Sequence, residues 1–503
     1  MQDDFLLKVM AIGINTQQEP IAYLHRDSHI CRAEGFSANS RVMVYAGGRE
    51  VIATLDVVEN HIIDRSEIGL SNIAMERLGV EPGTEVAVTH APIVDSLRLV
   101  RKKIYGHTLS ADELQEIMED ITAYRYRDVE IASFLSVCAG NRMNLDEITS
   151  MTKAMVNCGQ QLSWGGNQRI FDKHCIGGLP GNRTTPLVVA IASAAGLIMP
   201  KTSSRSITSP AGTADTMESL FNVSFSIEEM QEIVNATGAC MVWGGSVSLS
   251  PADDLMVRIE KELEIDGQGQ LIASVLSKKI AAGATDVVID IPVGETAKVR
   301  SLGEADYLAS LFNQVAQECG IHVRCVITDG SKPVGRGIGP VEEARDLMAV
   351  LQCEPGAPHD LRQRSLELAA NLLDMAEEIG IDKARAKATR ILEDGRAWKQ
   401  FQRIAAAQGG LKSLREARFS ITEKADRGGL IQSVDNRRLA RLAKLAGAPG
   451  DQLAGLRLHA NAGSHVEIGD PLFTLYAESA GERDYAIAYY QKNRGIFKIE
   501  EDN

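Results

Sequence analysis

The sequence predicts a multidomain α/β protein, and three observations carry that expectation. Short β-rich runs fill the first ninety residues, helical periodicity takes over from Ser96, and strands alternate with helices from Phe171 onward. At 503 residues the chain has the length of about three domains with their own cores. Its formal net charge of -14 argues against general binding to nucleic acid or an anionic membrane, so an anionic substrate needs local cations.

In chain order, Phe5 to Ile14, Arg41 to Tyr45, Val51 to Val58 and Glu85 to Thr89 read as strands of a small barrel-like domain over residues 1–90. Ser71 to Leu78 is helix-like between them, and no chemistry is visible in this segment. Ser110 with Glu113, and Asn144 with Glu147, form capping boxes ahead of apolar stripes, which marks a helical domain over residues 95–165. A large α/β domain with a mixed sheet follows over residues 166–250 and 283–408. Its strands are expected near Leu197 to Lys201, Cys240 to Trp243, Asp286 to Ile291 and His322 to Thr328. Gly335 to Pro340 reads as a turn before a helix, long polar helices fill about Pro358 to Ala406, and Gly409-Gly410 is a linker. Residues 411–503 make a final α+β domain, with two short strands around the turn in Gly463 to Leu475.

Eight cysteines show no paired CxxC spacing and no disulfide framework, so reduced thiols and no structural zinc are expected. His459 and His465 lack companion ligands and read as surface histidines, so no metal and no cofactor are expected. The start MQDDFLLKVM is acidic where a signal peptide would be basic, and no apolar run is long enough to span a bilayer. A cytoplasmic protein is the expectation.

The chemistry concentrates between Phe171 and Glu218. Gly177, Gly178 and Gly181 free the backbone to turn successive N–H groups toward one guest, just ahead of an apolar helix. Thr185 is expected to cap that helix, with Pro186 at its first position and Lys173 adding a positive charge. A second polar loop, Thr202 to Thr213, follows a short strand. Neither loop has P-loop or Rossmann spacing, and a phosphate site is what the residues alone suggest.

Asp172-Lys173-His174 with Gly177-Gly178, in the form CIGGLPGNRTT and SSRSITSPAGTADTME, resembles the thymidine phosphorylase family and its long branch, the AMP phosphorylases. The resemblance covers the chain from about Leu99, and the amino-terminal segment resembles the long branch alone. It implies that the small barrel serves assembly into a homo-oligomer, that about residues 251–282 complete the helical domain, and that the last domain is hammerhead-like. It also implies residue roles: Lys173, Gly177, Gly178, Thr185, Ser203 and Thr213 bind phosphate, and His174 faces sugar and base. Ser274 and Lys278, four apart on a helix, hydrogen-bond the base. Asp266 is the matching proton donor of the AMP-cleaving branch, and burial would help it keep a proton. Ser204, Arg205, Ser206, Ile207, Thr208 and Ser209, with Lys298, are the expected contacts of a substrate 5'-phosphate. Two departures from the short enzymes stand out: Cys175-Ile176 replaces Ser-Thr, and the loop is one residue longer at Pro180.

The implied activity is phosphorolysis of an N-glycosidic bond, with inorganic phosphate and either a nucleoside or a nucleoside 5'-monophosphate as substrates. The products are free base and a pentose 1-phosphate, or ribose 1,5-bisphosphate from a nucleotide. A phosphoribosyltransferase of similar architecture and a non-catalytic nucleotide-binding oligomer are the alternatives.

Overall fold

The structure, a computed structural model, describes residues 6–16, 19–166, 168–206, 209–263, 265 and 267–501. The chain divides into two compact units, Met1–Arg98 with Ala123–Arg127, and Leu99–Thr122 with Asp128–Asn503.

In the first unit, β1 (Leu6–Ala11), β2 (Ile21–His25), β3 (Arg41–Ala46), β4 (Arg49–Val58), β5 (Glu67–Leu70) and β6 (Glu85–His90) close into a barrel in the order β1-β5-β2-β4-β3-β6. Two short helices, α1 (His29–Ala33) and α2 (Asn72–Leu78), accompany it. Alternation puts Leu7, Val9, Val42, Val44, Val86 and Val88 inside. β2 and β5 are absent from the sequence expectation. β5 is only four residues long and contains Gly69, where a Cβ would fall 2.0 Å from Ile12 Cδ1, so close packing rather than β propensity selects this strand.

The second unit opens with helices. These are α3 (Leu97–Ile104), which begins at the boundary, α4 (Ala111–Thr122), α5 (Asp128–Cys138) and α6 (Leu145–Asn157). Leu114, Ile117, Met118 and Ile121 of α4 are fully buried, as the helical stripe predicts. Both expected capping boxes form, at Ser110 with Glu113 and at Asn144 with Glu147. The second has a further duty: Glu147 Oε1 accepts from Lys103 Nζ at 2.6 Å and from Leu109 N at 2.9 Å, with both charged side chains almost fully buried.

The α/β part runs β7 (Phe171–Cys175), α7 (Thr184–Ala194), β8 (Met199–Ser203), α8 (Thr213–Glu218), α9 (Ile227–Thr237), β9 (Ala239–Trp243), then helices α10 (Pro251–Leu263) and α11 (Gln268–Ala281). It resumes with β10 (Asp286–Val293), α12 (Leu302–Glu318), β11 (His322–Asp329), β12 (Gly337–Ile338), α13 (Pro340–Leu351), α14 (His359–Glu377), α15 (Ile381–Glu393) and α16 (Arg396–Ala407). Strands β11-β10-β7 and β8-β9 pair in parallel, and a parallel bridge between Ile170 and Ile198 joins the two sets. The mixed sheet of the sequence reading is thus parallel in each of these pairings. Such a sheet is covered on both faces, which is why β10 reads VVIDIPV with little alternation. α10 and α11 return to the helical part, where Gly269 of α11 lies against Ile148 and Met143.

The last domain has two antiparallel sheets. β13 (Phe419–Lys424), β15 (Gly455–Leu458) and β17 (Pro471–Ala477) take in β12, and β14 (Gly429–Val434), β16 (His465–Val466) and β18 (Phe497–Glu500) form the other. Helices α17 (Asn436–Leu445) and α18 (Ala480–Lys492) complete its core around Phe473 and Phe497. The Gly335–Pro340 turn is structural: Arg336 and Gly337 amides donate to Asp346 Oδ2 at 2.6 and 2.7 Å.

The two capping boxes should differ in weight. Glu147→Ala removes a cap and strands the buried Lys103 ammonium, so it should cost about 3–5 kcal/mol. Glu113→Ala loses a half-exposed cap and ion pair, worth about 1 kcal/mol. Denaturant midpoints of the two variants check the order.

Candidate functional site

β7 is the floor of the site, and its alternation divides the chemistry between two faces. On one face Lys173, with no exposed surface, donates from Nζ to Thr184 Oγ1 at 2.8 Å and to Thr185 Oγ1 at 3.4 Å. The Asp290 carboxylate lies 3.8 Å from the same ammonium. On the other face Asp172 meets Lys201 Nζ of β8 at 3.0 Å and Lys279 Nζ of α11 at 2.7 Å. Burial opposes the Asp172 charge, yet the two lysines hold its carboxyl below the usual range. Burial, partly countered by Asp172, pulls Lys279 well below the usual lysine range.

His174 shares the Asp172 face. Burial first, then Lys279, Lys201, Lys173 and Lys278, depress its imidazole well below the ordinary histidine value, so it is neutral at pH 7. Cys175 follows on the Lys173 face. Burial and the Asp290 carboxylate push its thiol up to about 12, which leaves little thiolate and no basis for a nucleophile.

Beyond β7 the glycine loop takes left-handed backbone at Gly177 and Gly178, with φ of 92° and 81°. Gly178 is also a contact point, because a Cβ there would lie 2.9 Å from the Lys298 amide nitrogen. That packing brings the Lys298 backbone to the loop. α7 starts at Thr184 behind Arg183, so Thr185 lies inside the first turn rather than capping it, and Pro186 is its third residue. Pro is tolerated there since first-turn amides have no intrahelical acceptor, and the shift turns Thr185 toward Lys173.

The second loop leaves β8 at Ser203, whose buried Oγ has no hydrogen-bond partner among the described residues. Thr213 opens α8. Ser206 Oγ donates to Ser209 O and Ser209 Oγ to Ala211 O, so these hydroxyls close the loop on itself. The Arg205 guanidinium binds Glu218 through both Nη atoms at 2.6 and 2.9 Å and lies 4.8 Å over the Trp243 ring. Its charge is matched within the chain. The Ser204 carbonyl accepts from Ala214 N at 3.4 Å, and Ile207 and Thr208 lie outside the described residues.

On α11, Ser274 and Lys278 are half-buried one turn apart, as the spacing predicts. Burial opposes the Lys278 charge, but Asp253 and Asp254 hold its ammonium above the usual range. Lys279, the next residue, ties this helix to β7 through Asp172. Asp266 lies outside the described residues.

Sequence reasoning missed Asp253, Asp290, Lys201, Lys279 and Arg183. Asp290 had a legible signal, a carboxylate in the middle of the otherwise apolar run from Val287 to Val293. Arg183 had another, the one cation within GLPGNRTT.

Comparison with known proteins gives three successive matches. The "Glycosyl transferase family, helical bundle domain" matches residues 97–159, the "Glycosyl transferase family, a/b domain" residues 167–398, and the "Pyrimidine nucleoside phosphorylase C-terminal domain" residues 430–497. The chain is 52% identical over 478 residues to a "Putative thymidine phosphorylase" of Ralstonia nicotianae, covering 95% of this chain and 94% of the relative. It is 48% identical to a protein of the same title from Hahella chejuensis, covering 98% of this chain and 97% of the relative. The anthranilate phosphoribosyltransferase of Thermus thermophilus shares the fold, at TM-score 0.52 and 20% identity, over 62% of this chain and 99% of that one. Among the described residues no helix is long and apolar enough to cross a membrane. With full-length relatives near half identity and the helical, α/β and carboxyl-terminal matches in one order, the chain belongs to the glycosyl transferase family that includes the thymidine phosphorylase relatives.

Proposed function

We propose that the protein is a pentosyltransferase that cleaves the N-glycosidic bond of a pyrimidine nucleoside with inorganic phosphate. The observation that carries this reading is the buried Lys173 ammonium behind the glycine loop, with Thr185 beside it and the unpartnered Ser203 hydroxyl on the neighbouring strand. Phosphate held by Lys173, the Gly177 and Gly178 amides, Thr185, Ser203 and Thr213 would form the new bond to the anomeric carbon. The carbon–nitrogen bond breaks as its electron pair passes to the base, which leaves with a proton from an acid. Asp266 is the proposed acid, and Ser274 and Lys278 are the proposed base contacts. His174, held neutral, serves as a hydrogen-bonding group toward sugar and base. Under this reading the enzyme works in the cytoplasm as a homo-oligomer, which sedimentation of the full chain tests.

A nucleoside 5'-monophosphate is the second reading, favoured by the close approach of the Lys298 backbone to Gly178. Arg205 supports it less, because Glu218 already neutralises its charge. In that second reading Ser204, Ser206 and Ser209 are proposed contacts of the 5'-phosphate, and Ile207 and Thr208 are proposed with them from the sequence resemblance alone.

Base release should require phosphate or arsenate and survive EDTA, and Lys173→Ala should lose about a hundredfold or more in kcat/KM, roughly 3 kcal/mol of transition-state stabilisation. Equal release by water would identify a hydrolase instead.

The depressed His174 pKa sets a pH expectation. The folded state holds the ring neutral while the unfolded chain takes a proton below about 6.5. Its contribution to stability is therefore intact above that pH and declines as pH falls toward the folded value. The kcat/KM profile should show no histidine limb near 6.5 that disappears in His174→Asn. Such a limb would mean that the ring is charged at the site.

Substrate choice is checked by comparing a pyrimidine nucleoside with its 5'-monophosphate. If Lys298 holds a 5'-phosphate, the nucleotide should lead by about tenfold or more in kcat/KM, and Lys298→Ala should erase that lead. Equal turnover with a neutral Lys298→Ala assigns the enzyme to nucleosides.

A further inference from the structure

We propose that Arg183 is a positioning residue that aims the hydroxyl proton of Thr213 at the bound anion. The inference deepens the phosphorolysis reading and rests on it for the identity of that anion. Arg183 precedes α7 but does not cap it; its side chain crosses to the second loop instead. There Nε donates to Glu343 Oε2 at 2.6 Å, Nη2 to Ala211 O at 2.7 Å and Nη1 to Thr213 Oγ1 at 2.9 Å. Glu343 is itself buried, and its carboxylate also accepts from Gly339 N at 3.3 Å. The guanidinium is therefore fixed in one plane by a fully engaged partner.

A guanidinium can only donate, so the Thr213 oxygen spends a lone pair on Arg183 and keeps its single proton for another acceptor. Among the described residues no acceptor takes that proton. The Ala211 carbonyl is closed to that proton, because its oxygen already accepts from Arg183 Nη2 at 2.7 Å and from Ser209 Oγ at 2.8 Å. Arg183 thus donates to the Thr213 oxygen and, with Ser209, fills an alternative target for the Thr213 proton. Thr213 is left as a donor joined through Arg183 to the start of α7, the helix whose first turn carries Thr184 and Thr185.

The test is a double-mutant cycle on the full-length protein, with Arg183→Met, Thr213→Val and the double variant, read by calorimetric affinity for inorganic phosphate and by phosphate and nucleoside KM. Arg183→Met should weaken phosphate about tenfold or more and leave nucleoside KM within about twofold. In the Thr213→Val background the same change should add less than about twofold, because the group it aims is gone. Equal losses in both backgrounds, or unchanged phosphate affinity, would overturn the inference. Since Arg183→Met leaves the Glu343 charge unpaired, the cycle is repeated with Glu343→Gln throughout, which keeps the comparison valid if the first variant does not fold. If wild-type protein binds phosphate without releasing base, the functional reading falls, and the calorimetric cycle still decides the role of Arg183.

Discussion

The site depends on one buried carboxylate. Asp172 holds Lys201 from β8 and Lys279 from α11 against β7, so a single side chain joins two strands and the helix that carries Ser274 and Lys278. Removing it would leave Lys201 and Lys279 buried without their carboxylate partner, a larger disturbance than losing the contact itself. Because alternation sends Lys173 to the opposite face, the structural lysines and the cradle lysine do not compete for the same carboxylate. Asp290 plays the corresponding part under Lys173, where Thr328 Oγ1 donates to it at 2.6 Å and Asn182 Nδ2 at 3.4 Å.

This arrangement reconciles an acidic chain with the anionic guest proposed for the site. The net charge of -14 is a property of the whole surface, whereas Lys173, Lys201 and Lys279 are concentrated within the fold with little exposure. Inside, where water screens poorly, these lysines beside two carboxylates have more influence than the many exposed acids. Burial first, and then these lysines, keep His174 neutral.

Much of this architecture was legible because it is written locally. Capping boxes, the stripe of α4, the glycines of the cradle and the one-turn spacing of Ser274 and Lys278 are short-range patterns, and each has its expected geometry. What escaped depends on pairing across long separations. The barrel strand containing Gly69 is selected by Ile12 and Ile63 packing over it, and Arg183 acquires its partners from Glu343 and Thr213. The Thr185-Pro186 pair suggests a cap at Thr185, but the helix begins a residue before it. Arg205 read as available for a ligand because Glu218, thirteen residues away, showed no sign of facing it.

The helical part of the second unit is assembled from two stretches of chain, and α11 packs on α6 only after β7, β8 and β9 have been made between them. During synthesis, the interval from Asn157 to Gln268 takes on the order of ten seconds at the usual rate of elongation. Over that time Ile148 and Met143 lack the Gly269 face that covers them in the finished fold. The nascent chain therefore passes through a stage with an uncovered apolar seam, and this is the point at which chaperone capture, or aggregation in its absence, has its opportunity.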